Sequence, residues 1–478
     1  MPTKVETVKM LLGGNWVHSE ETFEVRNPQN DELIAYVPSA SRQEMLMAIE
    51  KADRTFRANE LWPTHERIRV LQEVVEYMEE NREEFARIIA LESSKTIREA
   101  RGEVKRATQT IQISAEEARR LKGETINFDQ NEGSENRVGY FQRFPVGVIG
   151  AITPFNDPLN LVAHKIGPAI AAGNAIVLKP ASVTPLSALK LAEAFVEAGL
   201  PEGYLSVVTG SGREIGDTLV THPAVKMVSF TGGSKAGESI TQKAGTKKLS
   251  MELGSNSPVI VMEDADIKNA VQSSVSGAFS AVGQNCIGVQ RIYVHKSIYS
   301  HFLDAFVQET GSLNVGDKMD ECTDVGPLIN ENEAIRVENW VEEAISQGAQ
   351  VEIGGKRDGT FYYPTVLTHV PITSRLATEE IFGPVVLIET IESLDEAIDK
   401  ANDVNYGLQA GIFTNDLNQA FKAIRRMDVG GLMINDSSDY RIDEMPFGGT
   451  KGSGIGREGV RYSMEAMTEQ KVVCFKLN

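Results

Sequence analysis

From residue 146 onward, short apolar runs alternate with helical patterns, and this alternation constrains the fold more than any other feature of the chain. Residues 146–152 (Val-Gly-Val-Ile-Gly-Ala-Ile) form a brief apolar run bounded by turn residues, the pattern of a strand buried on both faces. A second strand is expected at 175–178, then a helix opened by Thr184-Pro185 and closed by Gly199 and Pro201. Further strands are expected at 205–208 and 225–230, each followed by glycines and a helix. The strand pattern restarts at 258–262, in a second α/β unit beginning near Met251. A helix over 266–282, a strand at 291–295 and a helix at 300–310 then lead into more alternation as far as Asn435. Such an order predicts an α/β fold with two Rossmann-like parallel sheets covered by helices. Gly210-Ser211-Gly212-Arg213-Glu214-Ile215-Gly216 is one residue longer than the dinucleotide fingerprint and reads as a turn. Gly232 and Gly233 sit between a strand and a helix start, where free N–H groups can face a phosphate.

The first 145 residues read differently. Short strands are expected across 10–37, punctuated by Gly13-Gly14 and Asn27-Pro28. Ser41 and Glu44 form a capping box ahead of a helix carrying Met45, Ile49, Ala52 and Phe56. Helices follow over 66–91 and 97–121, the second ended by Gly123, and 128–144 suits an extended arm. The tail 471–476 is β-like and apolar enough to require a partner. With 478 residues, of which 41% are hydrophobic, the chain can build two or three cores. Its net charge of -19 disfavours nucleic acid and anionic membrane as partners. Residues 1–17 lack a continuous apolar run, and the longest apolar segment, 166–178, is interrupted and too short to span a bilayer. A cytoplasmic protein is expected.

Three cysteines, Cys286, Cys322 and Cys474, form no CxxC pair and no His/Cys cluster, which argues against a zinc site or a disulfide framework. Most lone cysteines are small core residues. Cys286 differs because Gly283 and Gly288 flank it, allowing backbone and ligand to approach the sulfur and offering N–H groups to an oxyanion.

Seven stretches, in their order and spacing, carry a resemblance. They are Thr153-Pro154-Phe155-Asn156, Leu178-Lys179-Pro180, Phe230-Thr231-Gly232, Met251-Glu252-Leu253-Gly254, Gly283-Gln284-Asn285-Cys286, Glu380-Ile381-Phe382-Gly383-Pro384 and Pro446-Phe447-Gly448-Gly449. With them the chain resembles the aldehyde dehydrogenase superfamily over nearly its whole length. The resemblance implies oxidation of an aldehyde to the acid with NAD or NADP through a covalent intermediate on Cys286. Asn156 and the Cys286 N–H would hold the oxyanion, and Glu252 would activate the hydrolytic water. The cofactor would lie among Thr153, Phe155, Lys179, Ser182, Gly212, Gly232, Gly233, Ser234, Gly254, Glu380 and Phe382. Two positions depart from the family pattern. NAD-preferring members usually carry a glutamate where this chain has Ser182, and many members carry a serine where it has Gly233. The first departure implies dual or NADP-leaning use.

For the substrate, Arg106, Asp157, Asn285, Arg441 and Phe447 are the candidates. The arginines could fork onto an anion, Asp157 would repel one unless paired, and both arginines could equally be surface charges. Residues 158–165 and 435–438 resemble the lactaldehyde and non-phosphorylating glyceraldehyde-3-phosphate dehydrogenase branch, which implies a small polar, hydroxylated or anionic aldehyde. A CoA-acylating semialdehyde dehydrogenase and an inactive structural member of the fold are the alternatives, and Glu252 argues against the first. The family architecture implies a cofactor domain (1–121 and 142–251), a catalytic domain (252–466) and a small β oligomerisation element (122–141 and 467–478) that pairs subunits into a homodimer or homotetramer. No ligand cluster suggests a metal.

Overall fold

The computed structural model describes residues 6–58 and 62–478; residues 1–5, the start of the segment read above as lacking an apolar run, lie outside the described residues. Three main sheets organise the chain. The first has the strand order Gly454–Ile455, Lys248–Glu252, Val225–Thr231, Val148–Ile152, Ala175–Lys179, Leu205–Val207, Met10–Leu12, Asn15–Val17. Its five inner strands from Lys248–Glu252 to Leu205–Val207 run parallel. Val148–Ile152 and Ala175–Lys179 carry the apolar runs expected of two-sided burial, and the core includes Ile149, Ile176, Val177, Leu178 and Val228, each fully buried. Chain order proceeds outward from Val148–Ile152 in one direction and then jumps to its other side at Val225–Thr231. That reversal opens a crevice at the carboxyl ends of the two strands, where open α/β sheets bind ligands.

The second sheet has the order Gln350–Ile353, Thr365–Thr368, Val385–Ile391, Arg291–His295, Pro258–Val261, Gln409–Phe413, Gly431–Ile434, and is parallel except at its first strand. Its orientation positions the site. The first sheet delivers residues from the carboxyl ends of its strands: Thr153 after Ile152, Thr231 with Gly232, and Glu252 with Leu253-Gly254. The second delivers residues from the amino ends of its strands: Cys286 before Arg291, Phe382 before Val385, and Leu408 before Gln409.

Several elements differ from the sequence expectations. The helix expected over 66–91 is two, Thr64–Glu80 and Arg82–Glu92, broken at Asn81, whose side chain and backbone N–H both donate to the Tyr77 carbonyl. An asparagine competing for the backbone breaks the helix without the glycine or proline that sequence reading looks for. The helix expected over 266–282 stops at Phe279, and the helix expected to reach residue 121 stops at Ala118. Sheet membership also departs from the expected division: the first sheet keeps Glu252, Gly454–Ile455 pairs with Met251 and Glu252, and Val460, Met464 and Met467 join the first core.

The third sheet is antiparallel, with Arg137–Pro145 between Glu124–Ile126 and Thr468–Lys476. The arm and the tail thus pair with each other, and Val138, Val472, Phe475 and Leu477 remain exposed on or beside them. Among the described residues, no helix is long and apolar enough to cross a membrane.

Candidate active site

Cys286 is placed by a costly piece of backbone. After the helix Ile267–Phe279 the chain passes through three successive residues with positive φ: Ala281 at 49°, Val282 at 53° and Gly283 at 68°. Each non-glycine residue in that region costs about 1–2 kcal/mol, so the conformation persists only where neighbours impose it. Here they do. Glu99 accepts from the Ala281 N–H at 2.7 Å, and Gln284 Oε1 accepts from Ser94 Oγ at 2.7 Å and from the Ile329 N–H at 3.2 Å. Gly283 is packed so closely that a Cβ there would lie 2.3 Å from the Gly383 carbonyl oxygen. The segment delivers Cys286 half-buried, with a free thiol and with a backbone N–H that donates to none of the described residues. Burial pushes the thiol up, Glu380, Asp157 and Glu252 reinforce that, and Arg441 opposes it.

Two cavities, of about 560 Å³ and 610 Å³, meet at this cysteine, and both are walled by Asn156, Leu161, Cys286, Arg441 and Phe447. Asn156 follows the strand Val148–Ile152 and makes no side-chain hydrogen bond to a described residue. Its amide and the Cys286 N–H are therefore unspent donors at the junction.

The smaller cavity lies along the carboxyl edge of the first sheet. Phe155, Gly232, Gly233, Ser234, Glu252, Gly254, Glu380 and Phe382 line it, all expected from sequence; Trp340, Tyr406 and Leu408 were not. Its features suit a dinucleotide. Gly233 caps the helix Ser234–Lys243 without a side-chain cap and with open space around its Cα, so the first N–H groups of the helix are available to a pyrophosphate. The Phe155 and Phe382 rings meet edge to face, their centroids 5.7 Å apart. Phe382 holds a positive φ of 48°, and Glu380 accepts from the Ser255 N–H at 2.8 Å. Gly254 admits the Glu380 carboxylate so closely that a Cβ would lie 2.5 Å from its Oε2. Thr153 and Thr231 each bury a hydroxyl oxygen without a partner. Lys179, Ser182 and Gly212 lie off this cavity. Lys179 Nζ donates to the Pro180 carbonyl, its Cε lies 3.4 Å from where a Gly212 Cβ would be, and Ser182 donates to the Gly210 carbonyl. Burial pulls Lys179 down to about 8.

Glu252, only 2% exposed, has both carboxylate oxygens buried without a partner. Burial and the neighbouring Glu458 charge push it well above the usual carboxylate range, against Lys165, Arg441 and Arg457. Lost solvation and a neighbouring like charge both favour the protonated form of such a carboxyl.

The larger cavity is walled by ionisable groups that the sequence reading reached only in part. Asp157, expected to repel an anion unless paired, is paired: Lys95 bonds it, and Arg106 lies 3.9 Å away. Lys95 also donates at 2.7 Å to Glu103, whose other oxygen accepts from the Leu159 and Asn160 N–H groups at the start of the helix Asn160–Ala172. Arg106 donates to Asp443 at 3.0 Å, and Arg441 lies 3.7 Å above the Phe447 ring and donates to Glu458 at 3.2 Å. Glu458 in turn accepts from Lys165 at 2.6 Å and is held down to about 2 by the Lys165 and Arg441 charges, against burial. Neither arginine is a free surface charge. Asn285 donates to Asp439, which burial pushes up to about 7. Lys95, Glu103, Asp443 and Glu458 escaped sequence reading because each is an ordinary charged residue until a remote segment supplies its partner.

Comparison with known proteins identifies the family of the chain. The model of the aldehyde dehydrogenase family matches residues 16–473. The 3-sulfolactaldehyde dehydrogenase of Priestia aryabhattai is 49% identical over 475 residues, 99% of each chain. The crystal structure of aldehyde dehydrogenase 21 from Physcomitrella patens, in complex with its reaction product succinate, superposes with a TM-score of 0.97 at 40% identity, covering 99% of both chains. NADP-dependent glyceraldehyde-3-phosphate dehydrogenase from Bacillus halodurans, complexed with NADP, superposes with a TM-score of 0.96 at 38% identity over 99% of this chain and 100% of that one. The chain belongs to the aldehyde dehydrogenase family and is an NAD(P)-dependent oxidoreductase acting on aldehydes.

Proposed function

We propose that this enzyme oxidises a small anionic aldehyde, with Cys286 as nucleophile, Asn156 and the Cys286 N–H as oxyanion donors, and Glu252 as the base for hydrolysis. One observation carries the reading: Cys286 stands where the two cavities meet, with the unpartnered Glu252 carboxyl in the wall of the smaller one. In the first step the Cys286 thiol gives its proton to solvent, Sγ bonds to the aldehyde carbon as the carbonyl π bond opens, and the carbonyl oxygen becomes an oxyanion facing two donors that no protein group has taken. When bound, the nicotinamide supplies the acceptor for the hydride that leaves this carbon, and a thioester on Cys286 remains. Glu252 then takes a proton from the water that attacks the thioester; the C–S bond breaks, the acid departs, and the proton held by Glu252 returns to the sulfur to restore the thiol.

The anionic preference is supported by Arg106 and Arg441, which reach the larger cavity from two sides while each keeps donors beyond its carboxylate contact. The named compounds of the relatives fit it: a sulfonated aldehyde, a phosphorylated aldehyde and succinate all carry an anionic end. Dual or NADP-leaning use follows from Ser182, a neutral side chain turned to the Gly210 carbonyl, beside the buried cation Lys179. The exposed apolar residues on the strand Thr468–Lys476 make that strand the expected surface for self-association into a dimer or tetramer.

Glu252→Gln is expected to release one equivalent of NADPH per site in a rapid burst and then to turn over about 10²–10⁴-fold more slowly than wild type; stopped-flow absorbance measures both phases, and loss of the burst would contradict the role. The KM for NADP is expected to rise between pH 7 and 9, as Lys179 loses its proton through about 8, and catalytic efficiency with NADP should match or exceed that with NAD. A thousandfold preference for NAD would overturn the second expectation. On an aldehyde panel, anionic substrates should exceed neutral ones of similar size by at least tenfold in kcat/KM, about 1.4 kcal/mol of transition-state preference.

A further inference from the structure

His164 and Asp443 lie behind the larger cavity without lining it, 0% and 5% exposed, and no step of the chemistry above uses them. Asp443 Oδ1 accepts from Arg106 at 3.0 Å and from the Asn160 side chain at 3.2 Å, and lies 2.8 Å from His164 Nε2. On the other side of that same nitrogen, Arg441 approaches to 3.4 Å.

The hydrogen on His164 can be placed by elimination. A carboxylate oxygen at 2.8 Å would be repelled by a bare lone pair, so Nε2 carries the proton and donates to Asp443. A second proton on Nδ1 would be a buried donor without a partner, since Nδ1 has none, and burial together with Arg441 holds the ring below its ordinary value. The imidazole is therefore neutral and donates to Asp443. An Nε2–H cannot also accept from Arg441, so the partner of Arg441 is Glu458, 3.2 Å away. The ring stands as a neutral spacer between Arg441 and the carboxylate that a second guanidinium would otherwise take. Arg441 is left with Glu458, and Arg106 with Asp443 and, at 3.9 Å, Asp157. The Nε atoms of both arginines are buried without partners, so neither side chain is fully engaged by the protein.

We propose that His164 and Asp443 are positioning residues for substrate specificity: by keeping Asp443 for Arg106 and leaving Arg441 to Glu458 they hold the two guanidinium groups apart in the wall of the larger cavity, where both can grip the anionic end of the aldehyde. The inference rests on the anionic reading given above. Without the spacer, Arg441 is free to move toward Asp443, the two guanidinium groups converge on one carboxylate, and the donors facing the cavity are lost. Binding of the anionic end then suffers while the chemistry at Cys286 does not.

The test compares the full-length wild-type enzyme with His164→Leu, His164→Gln and Asp443→Asn, using succinate semialdehyde as the anionic substrate and lactaldehyde as the neutral one. His164→Leu and Asp443→Asn are expected to raise the KM for succinate semialdehyde at least tenfold with kcat changed less than threefold, and to move the KM for lactaldehyde less than threefold. His164→Gln, whose amide can still donate to Asp443, should stay within threefold of wild type on both substrates. Equal KM changes on the two substrates, or no change on either, would overturn the inference, as would a glutamine variant no better than the leucine one. If Asp443→Asn does not fold, its loss of lactaldehyde turnover reveals this, and the leucine and glutamine contrast decides. A wild-type enzyme indifferent to charge would instead sink the anionic reading itself, whereas a wild-type preference that survives in all three variants would sink only the positioning role.

Discussion

A buried carboxyl with no partner is the constraint around which this structure is arranged. Glu252 gives up water on both oxygens and receives no hydrogen bond in exchange, a loss of about 1–3 kcal/mol or more for a group that could ionise. Cys286 adds a second cost through the left-handed passage from Ala281 to Gly283 that brings it to the cavity junction. Neither feature stabilises the fold, and both are held in place by rigid surroundings: parallel strands buried on both faces on one side, and on the other the packing of Gly283 against the Gly383 carbonyl. The opposed use of strand ends explains why the two meet. The first sheet offers Glu252 at a carboxyl end and the second offers the loop preceding an amino end, so a short connection, Glu252 to Pro258, joins the two halves directly at the site.

Around these groups the charges come in matched sets. Lys95 faces Asp157 and Glu103, Arg106 faces Asp443, and Arg441 and Lys165 share Glu458. Buried pairs of this kind contribute little net stability, because desolvation offsets most of the attraction, but they fix geometry when each charge has a defined partner. Here they fix the directions of two arginines that reach a cavity beside the reactive sulfur. In the proposed function, anion recognition depends on donors left over after internal pairing rather than on net positive charge.

Parallel strands were legible in the sequence where two-sided burial writes itself as short apolar runs, as at 146–152 and 175–178, while 225–230 keeps the pattern with Lys226 and Ser229 interrupting it. Cys286, Glu252 and Asn156 were singled out because the short stretches that carry them resemble, in order and spacing, those of the aldehyde dehydrogenase superfamily. The break at Asn81 was not, since the side chain that ends the helix there is unremarkable in a polar stretch. Nor was the early end of the helix at Phe279: Ala281 and Val282 are residues that sequence rules place inside a helix, and only Glu99 and Gln284, bound to segments far away in the chain, explain their conformation. The same holds for Arg106 and Arg441, whose difference from surface charges lies in Asp443, Glu458 and the Phe447 ring. Local pattern reveals what a residue does to its neighbours in sequence, while partners at long separation emerge only in the fold.

The measurement that tests the central claim most directly is peptide mass mapping of wild-type enzyme quenched in acid during turnover of an aldehyde with NADP. An acyl group bound as a thioester to the peptide carrying Cys286, absent when the cofactor is omitted, is the result this account predicts. An acyl group on Cys322 or Cys474, or steady NADPH formation with no adduct on Cys286 at any time, would contradict it.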